Sequence, residues 1–120
     1  MNKTTLVLGA STNSDRYSNI AVRQLKKSGH TVIAIGNKGG QIEDVSIITT
    51  TPLIENIHTV TLYLNPGNQI DYYNYILSLK PKRIIFNPGT ENDEFFNMAF
   101  EKGIEVTEAC TLVLLSTGQY

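Results

Sequence analysis

The chain has no tryptophan and a single cysteine, Cys110, so no disulfide can form within its 120 residues. Such cysteine usage suits a cytoplasmic protein. The two histidines, His30 and His58, are scattered, and together with the one thiol they make no zinc-ligand pattern, so no metal site is expected. Charge of either sign is sparse and balanced: 10 Lys and Arg face 11 Asp and Glu, a net charge of −1 with no basic run. That argues against nucleic-acid binding through phosphate neutralisation. No stretch approaches the roughly 20 apolar residues needed to span a membrane, so no membrane partner is expected. Met1-Asn2-Lys3 runs straight into a strand candidate rather than a signal peptide. What remains, with 41% hydrophobic residues, reads as one small α/β domain over residues 1–120.

The hydrophobic pattern alternates between strand and helix. Thr5-Leu6-Val7-Leu8, Thr31-Val32-Ile33-Ala34-Ile35, Thr59-Val60-Thr61-Leu62-Tyr63-Leu64, Arg83-Ile84-Ile85-Phe86 and Ile104-Glu105-Val106 are five strand candidates. Ile47-Ile48 could add a short one, and residues 51–55 a single helical turn. Ser18 is placed to cap a helix from 19 to about 28, with Ala21, Val22 and Leu25 inward and Gly29 as its stop. Asn65-Pro66 reads as an N-cap with proline at the first helical position, and Ile70, Tyr73, Ile76 and Leu77 share one face. Thr90-Glu91-Asn92-Asp93 opens a further helix whose Phe95, Phe96, Ala99 and Phe100 are expected inward; its acids suit the positive helix end. The tail from 107 to 115 is apolar. Strands separated by helices predict a Rossmann-like, doubly wound parallel sheet of about five strands, with helices on both faces.

Such sheets bind ligands outside the carboxyl ends of their strands. The segments that follow the strands there are polar and rich in Gly, Asn and Pro: residues 9–18, residues 36–40, Asn65-Pro66-Gly67-Asn68, and Asn87-Pro88-Gly89-Thr90-Glu91-Asn92. The opposite connections are terser, Ser28-Gly29-His30, Lys80-Pro81-Lys82 and Lys102-Gly103. This asymmetry marks one binding edge. On it, Gly9-Ala10-Ser11-Thr12-Asn13-Ser14 occupies the place of a G-x-G-x-x-G dinucleotide fingerprint but keeps only the first glycine. Gly9 retains the tight turn. Ser11, Thr12 and Ser18 offer hydroxyls, the helix start near Ser18 offers free N–H groups to an anion, and Arg16 can pair with a phosphate.

After the second strand, an NAD site wants an acid to hold the ribose hydroxyls. This chain has none there and offers Lys38 instead. An ammonium attracts a ribose phosphate that a carboxylate would repel. NADP and coenzyme A both carry such a phosphate.

Four segments in this order resemble the small CoA-binding-domain proteins, stand-alone relatives of the Rossmann domain in the succinyl-CoA synthetase α subunit. They are Gly9-Ala10-Ser11 with Asn13, Arg16 and Ser18; Asn37-Lys38-Gly39-Gly40; Asn87-Pro88-Gly89-Thr90-Glu91-Asn92; and Glu108-Ala109-Cys110-Thr111-Leu112. The family often reads Asn-Pro-Lys-Gly after the second strand, where this chain reads Gly36-Asn37-Lys38-Gly39. It commonly carries a basic residue before the cysteine, where Ala109 stands. The resemblance implies that the first loop holds the CoA pyrophosphate, that Lys38 meets a nucleotide phosphate, and that Asn65-Pro66 line the pantetheine path.

No catalytic residues are expected. His30 and His58 fall before strands, at the edge away from the ligand loops, Glu91, Asp93 and Glu94 read as helix-start charges, and no histidine is predicted beside Cys110. The sequence therefore points to a non-catalytic module that binds a small nucleotide, CoA or an acyl-CoA. The alternatives are an NADP-binding reductase subunit working with a partner, and a regulatory or structural protein that has lost the ligand. A protein partner or self-association stays open.

Overall fold

The computed structural model describes residues 2–120. Seven strands form one sheet: β1 Thr5–Leu8, β2 Val32–Ile35, β3 Gly40–Ile42, β4 Val45–Ile48, β5 Thr59–Leu62, β6 Arg83–Phe86 and β7 Glu105–Glu108. Their spatial order is β3-β4-β2-β1-β5-β6-β7. Every pairing is parallel except the β3–β4 hairpin. With β3 set aside, the parallel strands follow the doubly wound Rossmann order, third-second-first-fourth-fifth-sixth. The chain moves outward from β1 through β2 and β4, then returns to β5 on the other side of β1. β1 and β5 are therefore the topological switch point.

Seven strands stand where about five were expected. The addition is the β3–β4 hairpin, in which Gln41 pairs with Ser46 and Ile42 with Val45, turning at Glu43 with φ 53°. Its first strand is three residues long and begins with glycine, too short and too Gly-rich to leave a periodic signature. The helical turn expected at 51–55 is absent; the Pro52 carbonyl there accepts from the Tyr75 hydroxyl at 2.6 Å.

β1 is buried on both faces because its side chains alternate between two cores. Leu6 and Leu8 join Ile35, Val60, Leu62, Ile84 and Phe86 beneath α3 (Tyr73–Leu79) and α4 (Asp93–Glu101). Val7 joins Ala34, Ile47, Val22 and Leu25 beneath α1 (Tyr17–Lys27), with Leu115 of α5 (Thr111–Ser116) against it. Helices thus cover both faces.

Local structure differs from expectation in four further places. Ser18 does not cap α1: the helix begins earlier, Arg16 is the N-cap residue, its carbonyl accepts from both Asn19 and Ile20, and Ser18 is a buried residue of the first turn. α4 is capped by Asn92 rather than Thr90, its Oδ1 accepting the Phe95 N–H at 3.1 Å, and Thr90 instead bonds back to the Asn87 carbonyl. Phe100 is 67% exposed because it lies about 100° round α4 from Ala99, which with Phe95 faces the sheet. After Asn65 and α2 (Pro66–Gln69), a 3-10 turn over Ile70–Tyr72 breaks the helical period, which leaves Ile70 58% exposed while Tyr73, Ile76 and Leu79 are buried.

Candidate functional site

The loops leaving β1, β2 and β5 enclose a cavity of about 560 Å³ over the switch point. Four other concavities of about 450 to 700 Å³ exist elsewhere. Size does not distinguish the site; its place in the topology and its chemistry do. It is lined by Gly9, Ala10, Ser11 and Arg16, by Gly36, Asn37 and Lys38, and by the wall from Tyr63 to Tyr72.

The first loop is held from behind by α1. The buried Asn19 donates to the Ser11 carbonyl at 2.8 Å, and Arg23 bonds both Asn19 Oδ1 (2.9 Å) and the Ser14 carbonyl (3.1 Å). Ser11 Oγ accepts the Asn13 N–H, and Asn13 Oδ1 accepts the Asp15 N–H, so two polar side chains shape the loop. α1 itself starts without a side-chain cap and with no acid in its first turn. Of its leading N–H groups, those of Tyr17 and Ser18 have no hydrogen-bond partner among the described residues, and the exposed Arg16 sits at that end.

Glycine acts here in two ways. Gly9 has φ +98°, and a Cβ there would sit 3.1 Å from the Tyr63 carbonyl carbon, so the first fingerprint glycine provides the turn beside β5. The tighter backbone approach is at Gly36, whose added Cβ would lie 2.3 Å from the Ala10 carbonyl oxygen. Gly9 and Ala10 both donate to the Ile35 carbonyl at 2.9 Å, while Gly36 donates to that of Ile48 at 3.0 Å. The loops after β1 and β2 are therefore packed backbone to backbone.

Of the residues singled out by sequence, Gly9, Ser11, Arg16, Lys38 and Asn65 line the cavity together. Thr12 and Asn13 are exposed on the same loop but do not line it, Pro66 starts α2 one step outside, and Ser18 is buried within α1. Asn87 and Pro88 follow β6 outside the cavity. Asn87 is buried and fully engaged: its amide donates to Thr61 Oγ1 (2.7 Å) and the Leu62 carbonyl (2.8 Å), and its Oδ1 accepts the Thr111 N–H. It ties β6, β5 and α5 together and has no group left over. Gly36 and Asn68, which the sequence placed on the binding edge without singling them out, also line the cavity, whereas Tyr63, Leu64, Asp71 and Tyr72 were missed. Tyr63 and Leu64 were findable as the end of a strand candidate; Asp71 and Tyr72 come from the 3-10 turn, which carries no local signal.

A second buried network steadies the β5 side. Gln69 donates to the carbonyls of Leu64 and Thr90, both at 2.8 Å, and accepts from Asn92, which also reaches the Tyr73 hydroxyl at 2.7 Å. Tyr63 is less well served. The Thr61 and Thr111 hydroxyls beside it bond each other at 2.8 Å, its own hydroxyl is buried without a partner, and burial pushes its pKa up to about 12.

His30 and His58 lie at the opposite, amino edge. His30 Nδ1 accepts the Lys3 N–H at 2.9 Å, and His58 pairs with Thr59 Oγ1 at 2.7 Å. Burial first, then nearby cations including Lys3 and Arg83, lowers both pKa values below the usual 6.5. Cys110 is a half-buried free thiol at the start of α5. Among the described residues no three His, Cys, Asp or Glu side chains gather to hold a metal ion. No helix of the described residues is long and apolar enough to cross a membrane.

Residues 3–116 match the CoA binding domain family. The chain belongs to that family. Among solved structures, this CoA-binding-domain chain is 52% identical to a protein described only as uncharacterized, with a TM-score of 0.98 over 100% of this chain and 99% of the other. It also superposes on cell-free ID.343 from Thermus thermophilus, at 23% identity and a TM-score of 0.87 over 99% and 91% of the two chains. A hypothetical protein from Pyrococcus horikoshii OT3 gives 21% identity and a TM-score of 0.87 over 97% and 83%. The last two likenesses are of fold. No curated protein matches the chain.

Proposed function

We propose that this chain binds coenzyme A or an acyl-CoA across the carboxyl ends of β2, β1 and β5, without catalysing a reaction itself. The observation that carries this reading is the uncapped start of α1 at the switch point, where Arg16 lines the same cavity as Lys38. A helix N-terminus with a guanidinium beside it suits a pyrophosphate. Lys38, one strand away, suits the ribose 3′-phosphate. The wall from Tyr63 to Asn65 then faces the pantetheine arm. Membership in the CoA binding domain family points the same way. Ser11, Thr12 and Asn13 belong to the pyrophosphate loop in this reading, Ser11 in contact and the other two in support, with Ser18 in the first helical turn behind them. Pro66, Asn87 and Pro88 shape the third and fourth loops. The histidines, remote from the cavity, take no part.

Lys38 would serve the 2′-phosphate of NADP equally well, which keeps an NADP-binding subunit as the second reading. One calorimetric titration separates them. CoA should bind more tightly than dephospho-CoA, and NADP and NAD more weakly than either. NAD binding as well as CoA would refute the proposal, and preference for NADP would put the second reading first.

A further inference from the structure

The cavity is not uniformly basic. Its cations, Arg16 and Lys38, belong to the β1 and β2 loops, whereas Asp71 lines the far wall beyond β5, with Leu64, Asn65, Asn68 and Tyr72. Asp71 is exposed in the 3-10 turn, and among the described residues no cationic side chain is within ion-pairing distance of it. A lone carboxylate on the wall of a phosphate-attracting cavity weakens binding of any anion brought close to it. Its sign therefore limits which part of the ligand can lie there.

We infer that Asp71 is a specificity-determining residue that selects free CoA and uncharged acyl-CoA esters over acyl groups ending in a carboxylate. This rests on the CoA reading and extends it to the acyl end. With the pyrophosphate at the start of α1 and the 3′-phosphate at Lys38, two points of the ligand lie over β1 and β2. Neighbouring strands are about 4.8 Å apart, so an arm leaving in the other direction passes over β5 and along the Asn65–Tyr72 wall. The pantetheine arm is neutral, with amide groups that suit Asn65 and Asn68 and a chain that suits Leu64 and Tyr72. The acyl group at its end brings whatever charge it carries towards Asp71. A like-charge pair about 6 Å apart, at an effective dielectric constant of about 40, corresponds to roughly tenfold in affinity.

The test is titration of wild type and Asp71→Asn with CoA, acetyl-CoA and succinyl-CoA, at low and at high salt. Wild type should bind CoA and acetyl-CoA within about threefold of one another and succinyl-CoA about tenfold more weakly, with the gap narrowing in salt. Asp71→Asn should close the gap by strengthening succinyl-CoA alone. If wild type binds succinyl-CoA as well as acetyl-CoA, or the gap survives in Asp71→Asn, the inference is wrong while CoA binding stands. If none of the three binds, the CoA reading itself falls and takes the inference with it.

Discussion

Replacing Gly36 by alanine should loosen the candidate site and destabilise the fold, although its φ lies outside the left-handed region. The new Cβ would lie 2.3 Å from the Ala10 carbonyl oxygen and 3.2 Å from Ile47 Cγ2. Ordinary contact with an oxygen needs about 1 Å more. Neither backbone can yield freely, because Ala10 is bonded to the Ile35 carbonyl and Gly36 to that of Ile48. Overpacking of this kind costs about 1–3 kcal/mol, and straining one backbone hydrogen bond adds about 1 kcal/mol, so a loss of about 2–4 kcal/mol is expected. At about 4 °C per kcal/mol for a domain of this size, the midpoint should fall by about 8–16 °C. Gly39→Ala is the control: its Cβ would meet nothing nearer than Thr49 Cγ2 at 3.9 Å, and its φ is not in the left-handed region. That change should be neutral or stabilising by about 0.4–1 kcal/mol. Thermal melts followed by circular dichroism, with CoA titration of the folded protein, give both numbers. Equal midpoints for the two variants would refute the claim that the loops are locked backbone to backbone.

Three further outcomes are expected. Lys38→Glu should weaken CoA about ten- to a hundredfold at low salt and dephospho-CoA much less, with an unchanged melting midpoint; equal losses for both ligands would move Lys38 to the pyrophosphate. Ser11→Ala should weaken CoA by about 0.5–1.5 kcal/mol, measured calorimetrically, and unchanged affinity in a folded variant would take Ser11 out of the site. His30 has a folded pKa lowered from 6.5 by burial and by Lys3, so between that lowered value and 6.5 the unfolded chain binds more protons. Its contribution is therefore complete above pH 6.5 and is lost as pH falls through that window. Urea midpoints should drop on acidification, and His30→Asn, which can still accept the Lys3 N–H, should flatten the drop.

Much of this was written locally in the chain. The β-branched and aliphatic runs of β1, β5 and β6 fix their strands because a strand buried on both faces needs apolar side chains at successive positions. Asn65-Pro66 starts α2 through contacts within four residues, the Asn65 side chain accepting the Asn68 N–H at 3.0 Å. Alternation of such elements implies a parallel sheet, and the parallel sheet implies which loops share an edge, so Gly9, Ser11, Arg16, Lys38 and Asn65 could be grouped before any coordinates. What required the tertiary structure was every property that depends on a partner distant in sequence. Gly36 matters because Ala10 lies against it, 26 positions away in the chain. Asn87 is closed to a ligand because Thr61, Leu62 and Thr111 consume its amide. Ser18 lost the cap because the loop delivers Arg16 to that position, and Asp71 lines the same cavity as the cations because a 3-10 turn redirects the chain after α2. Propensity and capping act through neighbours a few residues apart. Close approach, saturation of a buried amide and the sign of charge across a cavity are set by chain segments that only folding brings together.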